Sequence, residues 1–184
     1  SELNLEQQKF QIVNQFTKEK NVNIKMALAL GLKHTQDPEI QVILNQALVE
    51  ENDYRVKINI IRALNAYDYI NSVENILSLI DEENPHVADA AIHYLGQSGN
   101  KEDSGIYREI ASKMDSSFLK PKLYASFFKS IPYYYTKTRN AARYDIQQQL
   151  EKEQNNRMIA AYLTALSNDI NSYELIFKNA ENST

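Results

Sequence analysis

His86 and His93 stand seven residues apart with Asp89 between them, an imidazole–carboxylate–imidazole set at helical spacing. Seven helical residues separate two such rings by about 10 Å, too far for one ion without further ligands. No metal site is expected from them. The acidic runs Glu50-Glu51 and Asp81-Glu82-Glu83 read as solvated charge in links between helices. Three consecutive tyrosines, Tyr133, Tyr134 and Tyr135, follow Pro132, with Arg139 and Arg143 close behind and Tyr107, Tyr124 and Tyr144 as further rings. Aromatic and guanidinium groups together are the usual anchors of a binding surface; the alternative is that they fill a longer linker. The sequence has no Cys, which excludes disulfides and thiolate metal sites. It also has no glycine-rich phosphate loop and no nucleophile elbow. These residue types point to recognition, with no catalytic residue and no cofactor expected.

Composition narrows the class of partner. The 184 residues carry a net charge of −4, which argues against nucleic acid, because that binding depends on phosphate neutralisation by Lys and Arg. Hydrophobic residues make up 43% and charged residues 24%, the balance of a soluble globular protein. Four Gly and four Pro are few for a sheet with many tight turns. No apolar run approaches the ~20 residues that span a bilayer, and no signal peptide is read. The compartment stays open between cytoplasm and an exported, disulfide-free domain. The first residue is Ser1 rather than Met, so the chain reads as a piece of something longer.

What must position these groups is a repeat. The segments 22–31, 56–65, 87–96, 123–132 and 158–167 align without gaps, with Leu30, Leu64, Leu95, Ile131 and Leu166 as the last large apolar residue of each. Four positions earlier stand Met26, Ile60, Ala91, Phe127 and Tyr162, and three earlier Ala27, Ile61, Ile92, Phe128 and Leu163. Eight earlier stand Val22, Val56, Val87, Leu123 and Met158. Such spacing is a helical stripe. Asp53, Asn84 and Asn155 fall where an N-cap is needed, and Pro85 and Pro121 at the first helical position. Gly31 and Gly96 are expected to end helices in a left-handed cap. A further apolar set precedes each segment and reads as a first helix, A, before the second, B. It includes Leu5, Phe16, Ile40, Leu44, Ile76, Ile106, Ile110 and Ile146.

The strings Asp53-Tyr54-Arg55-Val56-Lys57 and Asn84-Pro85-His86-Val87-Ala88-Asp89-Ala90-Ala91 resemble the second helix of HEAT repeats. The resemblance covers roughly residues 3–169. It implies an all-α chain folded as a right-handed α-α superhelix, a solenoid of about five HEAT-like helix pairs plus a C-terminal helix. The repeats would lie at 3–34, 36–68, 70–99, 103–132 and 138–169, with the terminal helix at 170–180, as one domain over 1–184. The fourth departs from the pattern, with Lys120 in the cap column and Phe127-Phe128 replacing smaller residues, and an irregular turn is expected there. Residues 53–68 and 84–96 also resemble helical-repeat regions of bacterial multidomain cyclophilin-type peptidyl-prolyl isomerases.

Two rows then become candidate sites. The row Asn21, Arg55, His86, Lys122, Arg157 is either a basic strip or a structural ladder between repeats, the usual role of such rows in HEAT-like folds. The row Leu28, Arg62, His93, Lys129, Thr164 should project from the B helices, which line the concave side of this class of solenoid. It is either a partner-contact strip or a solvated face. The expected function is a non-catalytic scaffold binding a protein or peptide partner through Arg62, His93, Lys129, Tyr133, Tyr134, Tyr135 and Arg139. The alternatives are a helical appendage of a larger enzyme such as the isomerase, and a DNA-binding HEAT-like glycosylase.

Overall fold

The computed structural model of the chain describes residues 2–80, 82–98, 105–114 and 118–181, and among these it contains helices and turns but no strand. The chain divides into two compact units, Ser1–Tyr94 and Leu95–Thr184. In the first, α1 (Glu2–Lys18) is followed by α2 (Val22–Gly31), α3 (Pro38–Glu50) by α4 (Tyr54–Leu64), and α5 (Val73–Leu77) by α6 (Pro85–Ser98), whose residues from Leu95 belong to the second unit. The second unit continues with α7 (Gly105–Lys113), α8 (Leu119–Ser130), α9 (Thr136–Leu150), α10 (Asn156–Leu166) and α11 (Tyr173–Glu181). The pairs α1–α2, α3–α4, α7–α8 and α9–α10 pack on each other, and B helices stack, α2 on α4 and α8 on α10. The side chains of Leu5, Asp81, Ile106 and Tyr107 lie outside the described set.

The B helices α2, α4, α6 and α10 start where a short polar side chain can take their first free N–H groups. The Asp53 carboxylate accepts from Arg55 N at 2.9 Å, the Asn84 amide from His86 N at 3.0 Å, and the Asn155 amide from Arg157 N at 2.9 Å. Asn21 does the same for α2, accepting from Asn23 N at 3.0 Å. Asn21 is therefore a cap and not a member of the ladder row. Counted from the caps, the apolar residue eleven positions on is Leu32, Leu64, Leu95 and Leu166, and all four are buried. The first repeat is thus displaced by two residues from the alignment on Leu30, which is half-buried. Alignment on hydrophobicity alone slid there because α2 is apolar almost throughout.

Two residues before a cap stands a glutamate that orients it. Glu19 Oε1 accepts from Lys20 N and Asn21 N, Glu51 Oε1 from Asn52 N and Asp53 N, and Glu153 Oε1 from Gln154 N and Asn155 N, all within 2.8–3.0 Å. These links are built turns as well as solvated charge. α8 has no side-chain cap hydrogen bond, as its Lys120 implied. It begins at Leu119, so Pro121 is its third residue, still within the turn whose N–H groups lack intrahelical partners.

Neither glycine adopts a left-handed conformation. Gly31 is right-handed helical (φ −63°, ψ −33°), and no described glycine has positive φ. Gly96 matters for space instead: a Cβ there would lie 2.6 Å from Ser126 Cβ and 3.1 Å from Phe127 N, so α6 and α8 touch at this point because a side chain is missing.

Successive repeats are tied by A helices through buried polar clamps. In the first unit Gln41 of α3 donates to Asp68 O (2.6 Å) and Ser72 Oγ (2.9 Å), and Asn45 one turn later donates to Asn71 O and Ser72 Oγ. In the second unit Arg139 of α9 donates to Asp169 Oδ1 (2.9 Å), Phe128 O (2.9 Å), Ile131 O and Asn168 O. Arg143, one turn later, donates to Asp169 Oδ2 at 2.6 Å, which also accepts from Ser172 Oγ at 2.6 Å. Burial by itself raises the Asp169 pKa, but the Ser172 hydroxyl and the Arg143 and Arg139 guanidinium groups outweigh it and hold the carboxyl below its ordinary value. Arg139 is 4% exposed and presents nothing to a partner. Its proximity to the tyrosines in sequence misplaced it, because α9 turns it inward.

Candidate functional site

A recess of the first unit runs between α4 and α6. It has a volume of about 530 Å³ and is lined by Tyr54, Ile58, Ile61, Arg62 and Asn65 of α4 and by His86, Asp89, Ala90 and His93 of α6. The α4 set repeats at intervals of four, three, one and three, and the α6 set at three, one and three, so each is one face of a helix. Both helices begin at the same end. There the Tyr54 ring, one residue after the Asp53 cap, stacks on His86, two after the Asn84 cap, with ring centroids 6.1 Å apart and planes inclined by 27°. Both helices then run toward Arg62 and His93, two residues before the buried Leu64 and Leu95. Stacking equivalent caps in adjacent repeats is what brings equivalent side chains together.

The groove has an aromatic end, an apolar floor of Ile58, Ile61 and Ala90, and a cationic end. Among the described residues the Arg62 guanidinium makes no ion pair, whereas Arg55 is held bidentately by Asp53 at 3.1 and 2.7 Å. That guanidinium and the backbone N–H groups of Arg55 and Val56 lower the Asp53 pKa despite opposing desolvation. Elsewhere in this unit, exposed carboxylates include Glu39 and Glu50 on α3, Glu74 on α5, and Asp68 and Glu83 between helices. Asp89 is the one carboxylate lining the groove.

The members of the first candidate row sit in different surroundings. Arg55 bonds the cap of its own helix, His86 stacks on Tyr54, and Lys122 and Arg157 are exposed. The ties between repeats are the buried Gln41, Asn45 and Arg139 and the half-buried Arg143. Their signal was present as the repeated string Ile-Asn-Ser at 70–72 and 170–172, whose serines are both buried. Of the second row, Arg62 and His93 meet in the α4–α6 groove, while Lys129 is exposed on α8 of the other unit. Tyr133 and Tyr134 are 73% and 63% exposed; they pack on each other with centroids 5.8 Å apart, and Tyr134 packs on Tyr135 at 4.8 Å. Tyr124 is buried beside Tyr162, and Tyr144 is exposed. Tyr54 carries no repeat signal, because the positions aligned with it in the sequence hold Lys20, Pro85, Pro121 and Asn156. Among the described residues no group of three His, Cys, Asp or Glu side chains could hold a metal ion, and no helix is long and apolar enough to cross a membrane.

Residues 40–106, from α3 into α7, match the family described as HEAT repeats. No curated protein and no solved structure matches the chain. Caps, paired helices and that match agree: this is an all-α, HEAT-like helical repeat protein. HEAT repeats generally serve as protein-interaction scaffolds and are typically non-enzymatic.

Proposed function

We propose that this chain is a non-catalytic scaffold that seats a peptide segment of a protein partner in the groove between α4 and α6. The observation that supports the reading is the groove itself, where an exposed Arg62, the Tyr54–His86 stack and an apolar floor converge. Aromatic rings and arginine dominate the energetics of protein interfaces because they offer area and donors at small entropic cost. Lys129, Tyr133, Tyr134 and Tyr135 supply a second contact patch, on the other unit.

The test is selection of random twelve-residue peptides displayed on phage against the immobilised full chain. Ala90→Trp fills the floor of the groove from a half-buried position that opens into the recess, so helicity and melting temperature should hold. Selected peptides should bind this variant at least tenfold more weakly. Binding indifferent to Ala90→Trp would exclude the groove as the site.

A further inference from the structure

Taking the α4–α6 groove as the peptide site, we infer that it reads one acidic side chain and one aromatic side chain about three residues apart in an extended segment. The two ends of the groove differ chemically and their separation is fixed by helix geometry. Tyr54 and Arg62 are eight residues apart on α4, and His86 and His93 seven apart on α6. At 1.5 Å per residue the two ends are about 10–12 Å apart. An extended chain advances about 3.3 Å per residue, so three residues carry a ligand from one end to the other.

The cationic end selects a carboxylate. The Arg62 guanidinium offers five N–H donors in a planar fork matched to a carboxylate, and no described side chain occupies it. His93 lines the same end. Tyr54 and His86 at the other end form a ring stack, with the Arg55 guanidinium 5.9 Å from the Tyr54 centroid, against which a partner's aromatic ring can pack. Ile58, Ile61 and Ala90 between them leave room for small or apolar side chains.

Asp89 sets the limit on charge. It lies on the α6 face midway between His86 and His93, so a carboxylate in the middle of the ligand meets a like charge. The site therefore discriminates a single, terminal acidic residue from a continuous acidic tract, and for the same reason it disfavours the evenly spaced phosphates of a nucleic acid strand.

The experiment uses the full-length chain and fluorescein-labelled decapeptides of glycine and serine carrying one tryptophan and one glutamate. Anisotropy gives affinity, and amide chemical shifts of α4 and α6 locate binding. The peptide with the two residues three apart should bind with groove shifts. Glutamine for glutamate should weaken it about tenfold, the scale of one charge-assisted hydrogen-bonded pair. Arg62→Gln, an exposed change that leaves the fold intact, should remove the preference for glutamate while retaining residual binding. Placing the residues adjacent, or adding glutamates between them, should weaken binding at least threefold. Equal affinity for the glutamate and glutamine peptides, an Arg62→Gln variant that still prefers glutamate, or the absence of groove shifts would overturn the inference. So would an oligonucleotide that binds the groove more tightly than the peptide. If phage-selected peptides are blocked by Ala90→Trp yet lack an acidic residue, this inference fails and the scaffold reading stands. If selected peptides ignore Ala90→Trp, the scaffold site itself is wrong.

Discussion

Replacing Arg139 by Met should destabilise the Leu95–Thr184 unit by about 3 kcal/mol. The side chain is 5% exposed and its partner carboxylate fully buried. Methionine keeps the packing on Phe128, whose ring the guanidinium overlies at 5.1 Å, but none of the donors. Breaking a buried ion pair costs roughly 3–5 kcal/mol when the remaining charge is stranded. Here Asp169 keeps Arg143 and Ser172, which lowers the penalty, while the carbonyls of Phe128 and Ile131 lose a donor, which raises it. With a urea dependence of about 1.5 kcal/mol per M, the midpoint of that unit should fall by about 2 M. Urea melts of the full chain followed by circular dichroism measure this, and hydrogen exchange in α9 and α10 assigns the transition. Arg139→Lys should recover less than half, because one ammonium cannot reach the carboxylate and the carbonyls in the same fork. The pH dependence has a definite sign. Asp169 is depressed below its ordinary value of 3.8, so the stability it contributes is present above that value. It is lost as pH falls through the depressed folded value, and the gap between wild type and variant should narrow only below about pH 4. A loss under about 1 kcal/mol at pH 7, or a gap that closes between pH 5 and 7, would refute the clamp as an energetic tie.

Gly96→Ala gains helix propensity of about 1 kcal/mol but places a Cβ against Ser126 and the α8 backbone, so a net loss of about 1–2 kcal/mol is expected. Thermal denaturation measures it, and adding Ser126→Gly should recover part of it. Asn155→Ala removes the acceptor for two backbone N–H groups of α10 and should cost about 1 kcal/mol, whereas Asn155→Asp should be tolerated; denaturant melts distinguish the two. Tyr133→Ala should change stability by less than about 0.5 kcal/mol, because the ring is solvent-facing, and a larger loss would place the tyrosines in the core.

Several features were legible before any coordinates. Cap residues and the leucine eleven positions later gave the B helices, since both follow from local demands: free N–H groups need an acceptor, and a 3.6-residue period needs one apolar face. The pairing of Arg62 with His93 followed from repeat arithmetic, because stacked copies place equivalent columns side by side. The first repeat shows where that reading runs out. An almost uniformly apolar α2 carries no phase, and the polar cap Asn21, not the hydrophobic pattern, fixed its register.

What composition and period established was the class of element, its approximate bounds and the absence of thiol chemistry, all of them properties of neighbours along the chain. Tertiary packing decided the rest. It turned Arg139 inward onto Asp169, thirty residues away, and made Gly96 a point of close approach. It also joined Tyr54 to His86 across two helices. Those outcomes depend on which face of one helix meets which face of another. A charged or aromatic residue reads the same in sequence whether its partner is water, a buried carboxylate or a second ring, and burial by the neighbouring helix is what separates the cases.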